Sequence, residues 1–203
     1  MKSVTLFLFC ISLAHSFAAD DTNILFLGDW SQPVTDAGGY AIRGRLLIEQ
    51  KSQYRGGLPF DTAVYLELQE HSRYWGAPVE ISCDLDHDFR CHLFEATGVA
   101  VSAQAGLRFN GLHGPNQFKV TLPTDGSIRL RVSPPVGCWQ EDGGLELSVY
   151  PWQTWWIDSK DTNEYFLSGT FTVAPTNSVR YANPDVWAGT LTLPKMKISL
   201  RQP

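Results

Sequence analysis

Apolar side chains in this chain recur at every second position, run after run, and no window longer than about eight residues repeats them at helical spacing. Ile42, Gly44, Leu46 and Ile48 alternate with Arg43, Arg45 and Glu49, and Val64, Leu66 and Leu68 alternate with Tyr65, Glu67 and Gln69. The same period returns at Phe118, Val120 and Leu122, at Ile128, Leu130 and Val132, at Leu145, Leu147 and Val149, and at Leu167, Gly169, Phe171 and Val173. Successive side chains of an extended backbone point to opposite faces, so each run predicts a strand with one buried and one wet face. Asn23 to Leu27 reads as a further short strand. Gly, Pro and Asp separate the runs: Thr124-Asp125-Gly126 predicts a hairpin, and Ser133 to Gly137 and Glu141 to Gly144 are turn chemistry. Gln53 to Phe60 and His71 to Pro78 read as loops. Pro194 interrupts the last segment, Thr190 to Leu200, which should therefore bend or lie on a sheet edge. About nine or ten short strands punctuated this way predict an all-β fold, an antiparallel β-sandwich of jelly-roll type, rather than a βαβ arrangement.

The N-terminus is of a different kind. Lys2 supplies a positive charge, Val4 to Leu13 is an apolar run broken only by Thr5 and Ser12, and Ser16-Phe17-Ala18 offers small residues for cleavage. That order predicts a secretory signal peptide at residues 1–18, with residues 19–203 forming a single β-sandwich domain. The apolar core is about half the length a membrane-spanning helix needs, so no transmembrane segment is expected. The mature protein is expected to be secreted or periplasmic. Its roughly 185 residues suffice to bury one substantial core. A formal charge of −5, with no Lys/Arg block to offset it, argues against nucleic acid as a partner.

Export makes disulfides permissible, and the mature cysteines are Cys83, Cys91 and Cys138. The spacing predicts a bridge between Cys83 and Cys91, leaving Cys138 buried as a small hydrophobe or paired between molecules. Between the first two lie Asp84, Asp86 and Asp88, followed by Glu95 at the twelfth place of a window that opens at Asp84. Carboxylates at alternate positions closed by a glutamate match part of a calcium loop, where oxygens replace the hydration shell of Ca2+. Phe89 occupies the place where that loop turns on glycine, so the alternative is a solvated acidic loop. Zinc through His87 and His92 would need reduced thiols.

Aromatic residues form the second concentration. Trp152, Trp155 and Trp156 fall within five residues, with Trp139 upstream. On an extended backbone Trp152 and Trp156 share one face and Trp155 takes the other. Inward indoles would serve the core, whereas an outward pair would offer a flat platform for the C–H faces of a pyranose ring. Motifs of serine hydrolases, zinc proteases, P-loops and dinucleotide folds are all missing from the sequence. Asp84, Asp86, Glu67, Glu141 and Asp142 remain as carboxyl groups from which a glycosidase pair could be drawn. These features point first to an exported, non-catalytic module that binds a glycan or an extracellular protein, with a structural calcium ion as an adjunct. A small carboxylate-dependent polysaccharide hydrolase and a structural envelope or assembly protein are the alternatives.

Overall fold

Period-two alternation becomes sheet wherever the chain is described, and every strand pair is antiparallel. The computed structural model describes residues 22–51, 61–72, 78–105, 117–133, 144–158, 160–161, 163–175 and 186–199. The leader at residues 1–18, the loop expected at Gln53 to Phe60, Cys138, Trp139, Glu141 and Asp142 lie outside the described residues. In order, the elements are β1 (Thr22–Leu27), β2 (Val34–Thr35), β3 (Ala41–Lys51), β4 (Asp61–Glu70), β5 (Val79–Asp84), α1 (Leu85–Asp88), β6 (Phe89–Glu95), β7 (Gln104–Ala105), β8 (Gln117–Leu122), β9 (Ser127–Arg131), β10 (Leu145–Val149), β11 (Gln153–Ile157), β12 (Tyr165–Val173) and β13 (Gly189–Ile198). The strands exceed the nine or ten expected because β5 and β6 occupy the stretch read as an acidic loop, and because β2 and β7 are two-residue pairings with no periodicity to betray them.

The largest sheet runs β1-β3-β4-β9 with β2 beside β3, and a second runs β13-β12-β6. They face each other as an all-β sandwich. Gly44 marks the contact: a Cβ there would lie 3.0 Å from Leu193 Cδ2 and 3.2 Å from Leu191 Cδ1, so β13 approaches β3 where a side chain is missing. Ile42, Leu46, Ile48, Val64, Leu66 and Leu68 of the first sheet pack into one buried cluster with Leu167, Phe171, Leu191 and Leu193 of the second. The smaller sheets β10-β11-β7 and β5-β8 add Leu145, Leu147, Val149, Ile81 and Leu122 to that same cluster. Trp187, fully buried, ties three elements together through its backbone N–H to the Glu80 carbonyl (2.9 Å) and its indole N–H to the Val34 carbonyl (3.3 Å).

Two local expectations resolve differently from each other. Pro194 does lie on an edge strand, and the pairing of β12 with β13 shifts register between Leu167 and Gly169, so two residues of β13 oppose one of β12. Thr124-Asp125-Gly126 is a turn, closed by the Gly126 N–H on the Pro123 carbonyl at 2.9 Å with Asp125 at φ 56°. It is not a hairpin. The strands it joins go to different partners, β8 to β5 and β9 to β4, so the turn carries the chain around a corner between sheets.

The expected Cys83–Cys91 disulfide is not formed: both are free, buried thiols. One helical turn, α1, separates β5 from β6, and the two strands belong to different sheets, which carries the two sulfurs to separate places in the core. Burial pushes both thiols up to about 12, with the nearby Asp88 and Asp84 charges adding to the effect at Cys83. Cys91 donates its S–H to the Ser168 carbonyl at 3.2 Å.

Candidate binding face

The acidic segment folds into α1 and the ends of its flanking strands. Asp84 caps the helix, its Oδ1 accepting the Asp86 backbone N–H at 3.0 Å, and Asp88 Oδ2 accepts the Asp84 N–H at 2.7 Å. Arg90 donates to the Asp86 carbonyl at 2.8 Å, and His87 Nδ1 lies 3.3 Å from Asp84 Oδ2. Asp84, Asp86 and Asp88 are therefore neighbours whose oxygens organise a turn. Glu95 sits at the far end of β6, about 20 Å along the strand from Phe89. Among the described residues no three His, Cys, Asp or Glu side chains are gathered to hold a metal ion.

The three indoles divide by backbone geometry. In β11 the burial alternates, so Trp155 is buried and Trp156 is 55% exposed. Trp155 belongs to the core and not to a ligand face; its indole N–H donates to the Val101 carbonyl at 3.0 Å. Trp152 does not share a face with Trp156 as an extended chain would require. It precedes β11 in a turn, at φ 57°, and packs edge-on against Tyr150 with ring centroids 5.6 Å apart. That leaves Trp156 as the outward indole of the segment.

What surrounds Trp156 follows from register. Glu146 of β10 lies directly opposite it, and Thr154, two residues earlier on the same face, lies opposite Ser148 on one side and Gln104 of β7 on the other. The outer face of the β10-β11-β7 sheet is thus one exposed indole set among Glu146, Ser148, Thr154 and Gln104. The hydroxyls of Ser148 and Thr154 are 2.9 Å apart, and Ser148 Oγ lies 3.1 Å from Glu146 Oε1. With the single Ser148 proton directed at the carboxylate, Thr154 donates to Ser148 and Ser148 to Glu146, a chain polarised toward the negative charge. The second carboxylate oxygen of Glu146 has no protein partner among the described residues. At the usual strand spacing this three-stranded patch is about 10 Å wide. The alternation of Leu145, Leu147 and Val149 already placed residues 146 and 148 on an outer face; which indole they would accompany was set by pairing.

A glycosidase needs one carboxyl group with a raised pKa facing a second across a cleft. Glu67 is buried on the outer face of the largest sheet; desolvation pushes its carboxyl up, but hydrogen bonds and charge from Arg45 and Arg129 outweigh this and hold it below its ordinary value. Asp161 is also lowered, by the Tyr165 hydroxyl first and the Asn163 N–H second. Both shifts favour the ionised carboxylate, the wrong direction for a general acid. Among the described residues no helix is long and apolar enough to cross a membrane. Comparison of the chain with protein-family models, with curated proteins and with solved structures finds no match.

Proposed function

We propose that this protein is an exported, non-catalytic binding module whose ligand is a glycan, held on the outer face of β10-β11-β7. The observation that carries the reading is the exposed Trp156 ring beside a hydrogen-bonded row of hydroxyl and carboxylate groups. A pyranose ring has the complementary make-up: a C–H face to cover an indole, and equatorial hydroxyls in its plane to meet Glu146, Ser148, Thr154 and Gln104. A sheet face with an exposed indole and half-exposed polar groups suits a sugar bound along a chain, and the carboxylate's unpartnered oxygen accepts a sugar O–H. The leader pattern at residues 1–18 supports export, and buried thiols with strongly raised pKa values are protected in an oxidising compartment.

Covering the exposed part of an indole removes on the order of 100 Å² of apolar surface from water, about 2 kcal/mol after ordering costs, or roughly 30-fold in affinity. Isothermal titration against a panel of soluble polysaccharides should therefore identify a ligand that W156A binds about 30-fold more weakly and E146Q several-fold more weakly. Circular dichroism should show both variants folded. Binding to no glycan in a broad panel, or binding untouched by W156A, would sink the reading.

The assembly reading also has an observation in its favour. β1 is an edge strand, and Ile24 (46% exposed) and Leu27 (51% exposed) project from its outer face. Under that reading light scattering finds an oligomer that L27K disperses; a monomer at all concentrations removes it.

A further inference from the structure

The outer face of the largest sheet carries a second arrangement, on a different sheet from Trp156 and built on different chemistry. Arg43 and Arg45 are alternate residues of β3, so both point outward, about 7 Å apart along the strand. The segment after β1 is pinned alongside them: the Gly28 N–H donates to the Leu46 carbonyl (2.9 Å), the Ser31 N–H to the Gly44 carbonyl (2.8 Å), and the Gly44 N–H to Ser31 Oγ (2.9 Å). This fixes Trp30 over both guanidinium groups, with the Arg43 and Arg45 carbons 4.8 and 4.2 Å from the ring centroid.

Charge on this face is unevenly matched. Glu67, opposite Arg45 on one side and Arg129 on the other, accepts from Arg45 Nε at 2.7 Å and Arg129 Nε at 3.2 Å, and Arg129 Nη1 also donates to Glu49. The two carboxylates are thereby engaged by Arg45 and Arg129. Arg43 stands opposite Gln69 and donates to its amide oxygen through Nε (2.9 Å) and Nη2 (2.6 Å), a neutral acceptor. Among the described residues Arg43 Nη1 and both terminal nitrogens of Arg45 donate to no protein acceptor. Two neighbouring cations, held in place by an aromatic ring and by β-ladder pairing, thus keep unpaired planar donors within reach of one another.

We propose that Arg43 and Arg45, braced by Trp30, form an oxyanion clamp that takes a carboxylate or sulfate group carried by an acidic glycan. A planar or tetrahedral oxyanion presents two or more oxygens to the fork of each guanidinium and cancels the repulsion between them. The polymer class rests on the Trp156 reading; the oxyanion chemistry does not. In a chain with 16 basic and 21 acidic residues, this face sets Arg43, Arg45, Arg129 and Arg131 against Glu49 and Glu67 among the described residues, a local excess of positive charge that favours a polyanion.

The test titrates wild type, R43Q, R43K and W156A with polygalacturonate, dextran sulfate, neutral dextran, polyglutamate and sodium sulfate at low and moderate salt. Circular dichroism and melting temperature verify the fold, and Arg43 is chosen because, unlike Arg45, it bonds no buried carboxylate. The expected result is binding of one or both acidic glycans that falls as salt rises, is about 10-fold weaker in R43Q, is intermediate in R43K, and keeps its salt dependence in W156A. Uronate and sulfate sources are told apart by which of the two polymers binds. R43Q binding as wild type does, polyglutamate binding as tightly as the glycans, or sodium sulfate binding without either polymer would each overturn the proposal. W156A separates the two sites: the clamp fails if acidic glycans are ignored, the platform if W156A leaves every glycan affinity intact.

Discussion

Trp155 and Trp156 are adjacent in sequence and opposite in placement, so truncating each in turn tests the alternation on which the fold and the binding face both depend. Trp155 is buried and its N–H serves the Val101 carbonyl. Replacing it by alanine opens a large cavity and strands that carbonyl, which together cost about 4 kcal/mol. In a domain of this size each kcal/mol lowers the melting temperature by about 2–4 °C, so W155A should melt roughly 8–16 °C below wild type. Trp156 is 55% exposed, and the covered remainder is on the order of 90 Å². Alanine there forfeits at most about 2 kcal/mol, less once the compactness of the unfolded chain is allowed for, giving a fall of roughly 2–6 °C. The assay is thermal unfolding followed by far-UV circular dichroism, with acrylamide quenching as a second readout, since removal of the solvent-facing indole lowers the quenchable fraction. Equal destabilisation by the two substitutions, or a larger loss at Trp156, would refute the assignment of faces in β11.

Four further outcomes follow from the geometry. Gly169 of β12 lies opposite Cys91 of β6, and a Cβ there would stand 2.5 Å from the Arg90 carbonyl oxygen, so G169A must spread the two strands and should cost about 3 kcal/mol, read from a urea transition. The Glu67 carboxyl is held below its ordinary value in the folded state, so its contribution is full above the unfolded value of about 4.3 and is lost as pH falls through the lower folded value; the stability gap between wild type and E67Q should be constant from pH 8 to 5 and shrink below pH 4. Burial pushes Cys83 and Cys91 up to about 12, so peptide mapping after iodoacetamide at pH 8 should find both unmodified in native protein and both alkylated in urea. Because Asp84 and Asp88 accept backbone N–H groups and Glu95 lies a strand away, millimolar calcium or EDTA should move the melting temperature by no more than about 1 °C.

How far the sequence carried the structure depends on whether the deciding interaction is local. Val64, Leu66 and Leu68, or Leu145, Leu147 and Val149, announce their inward face because burial alternates with the backbone's own period. The same period was present in Val79, Ile81 and Cys83 and in Phe89, Cys91 and Leu93, but the charged residues between them, lying on the outer face or in a single helical turn, made the stretch resemble a loop. The disulfide expectation failed for a related reason: eight residues of spacing permit closure, yet α1 sends the flanking strands to different sheets, and only the sheet order reveals that. At Trp152 a single departure from extended backbone, φ 57°, removed the residue from the face that counting by twos assigned to it.

Both proposed sites are products of register, which no short window encodes. Arg43, Arg45 and Glu49 read as outward residues of one strand, and that parity holds. Their chemistry is decided across strands: Arg45 meets Glu67 and Arg43 meets Gln69 because β3 and β4 pair as they do, and a slip of one residue would send every one of these side chains into the core. The same holds at Trp156, whose neighbour Glu146 comes from another strand. A carboxylate opposite one arginine and an amide opposite the next is the difference between a neutralised ladder and a face with donors to offer. The functional content of this sandwich therefore lies in which polar residue stands opposite which, on scaffolding whose inward half could be read directly from the order of its aliphatic residues.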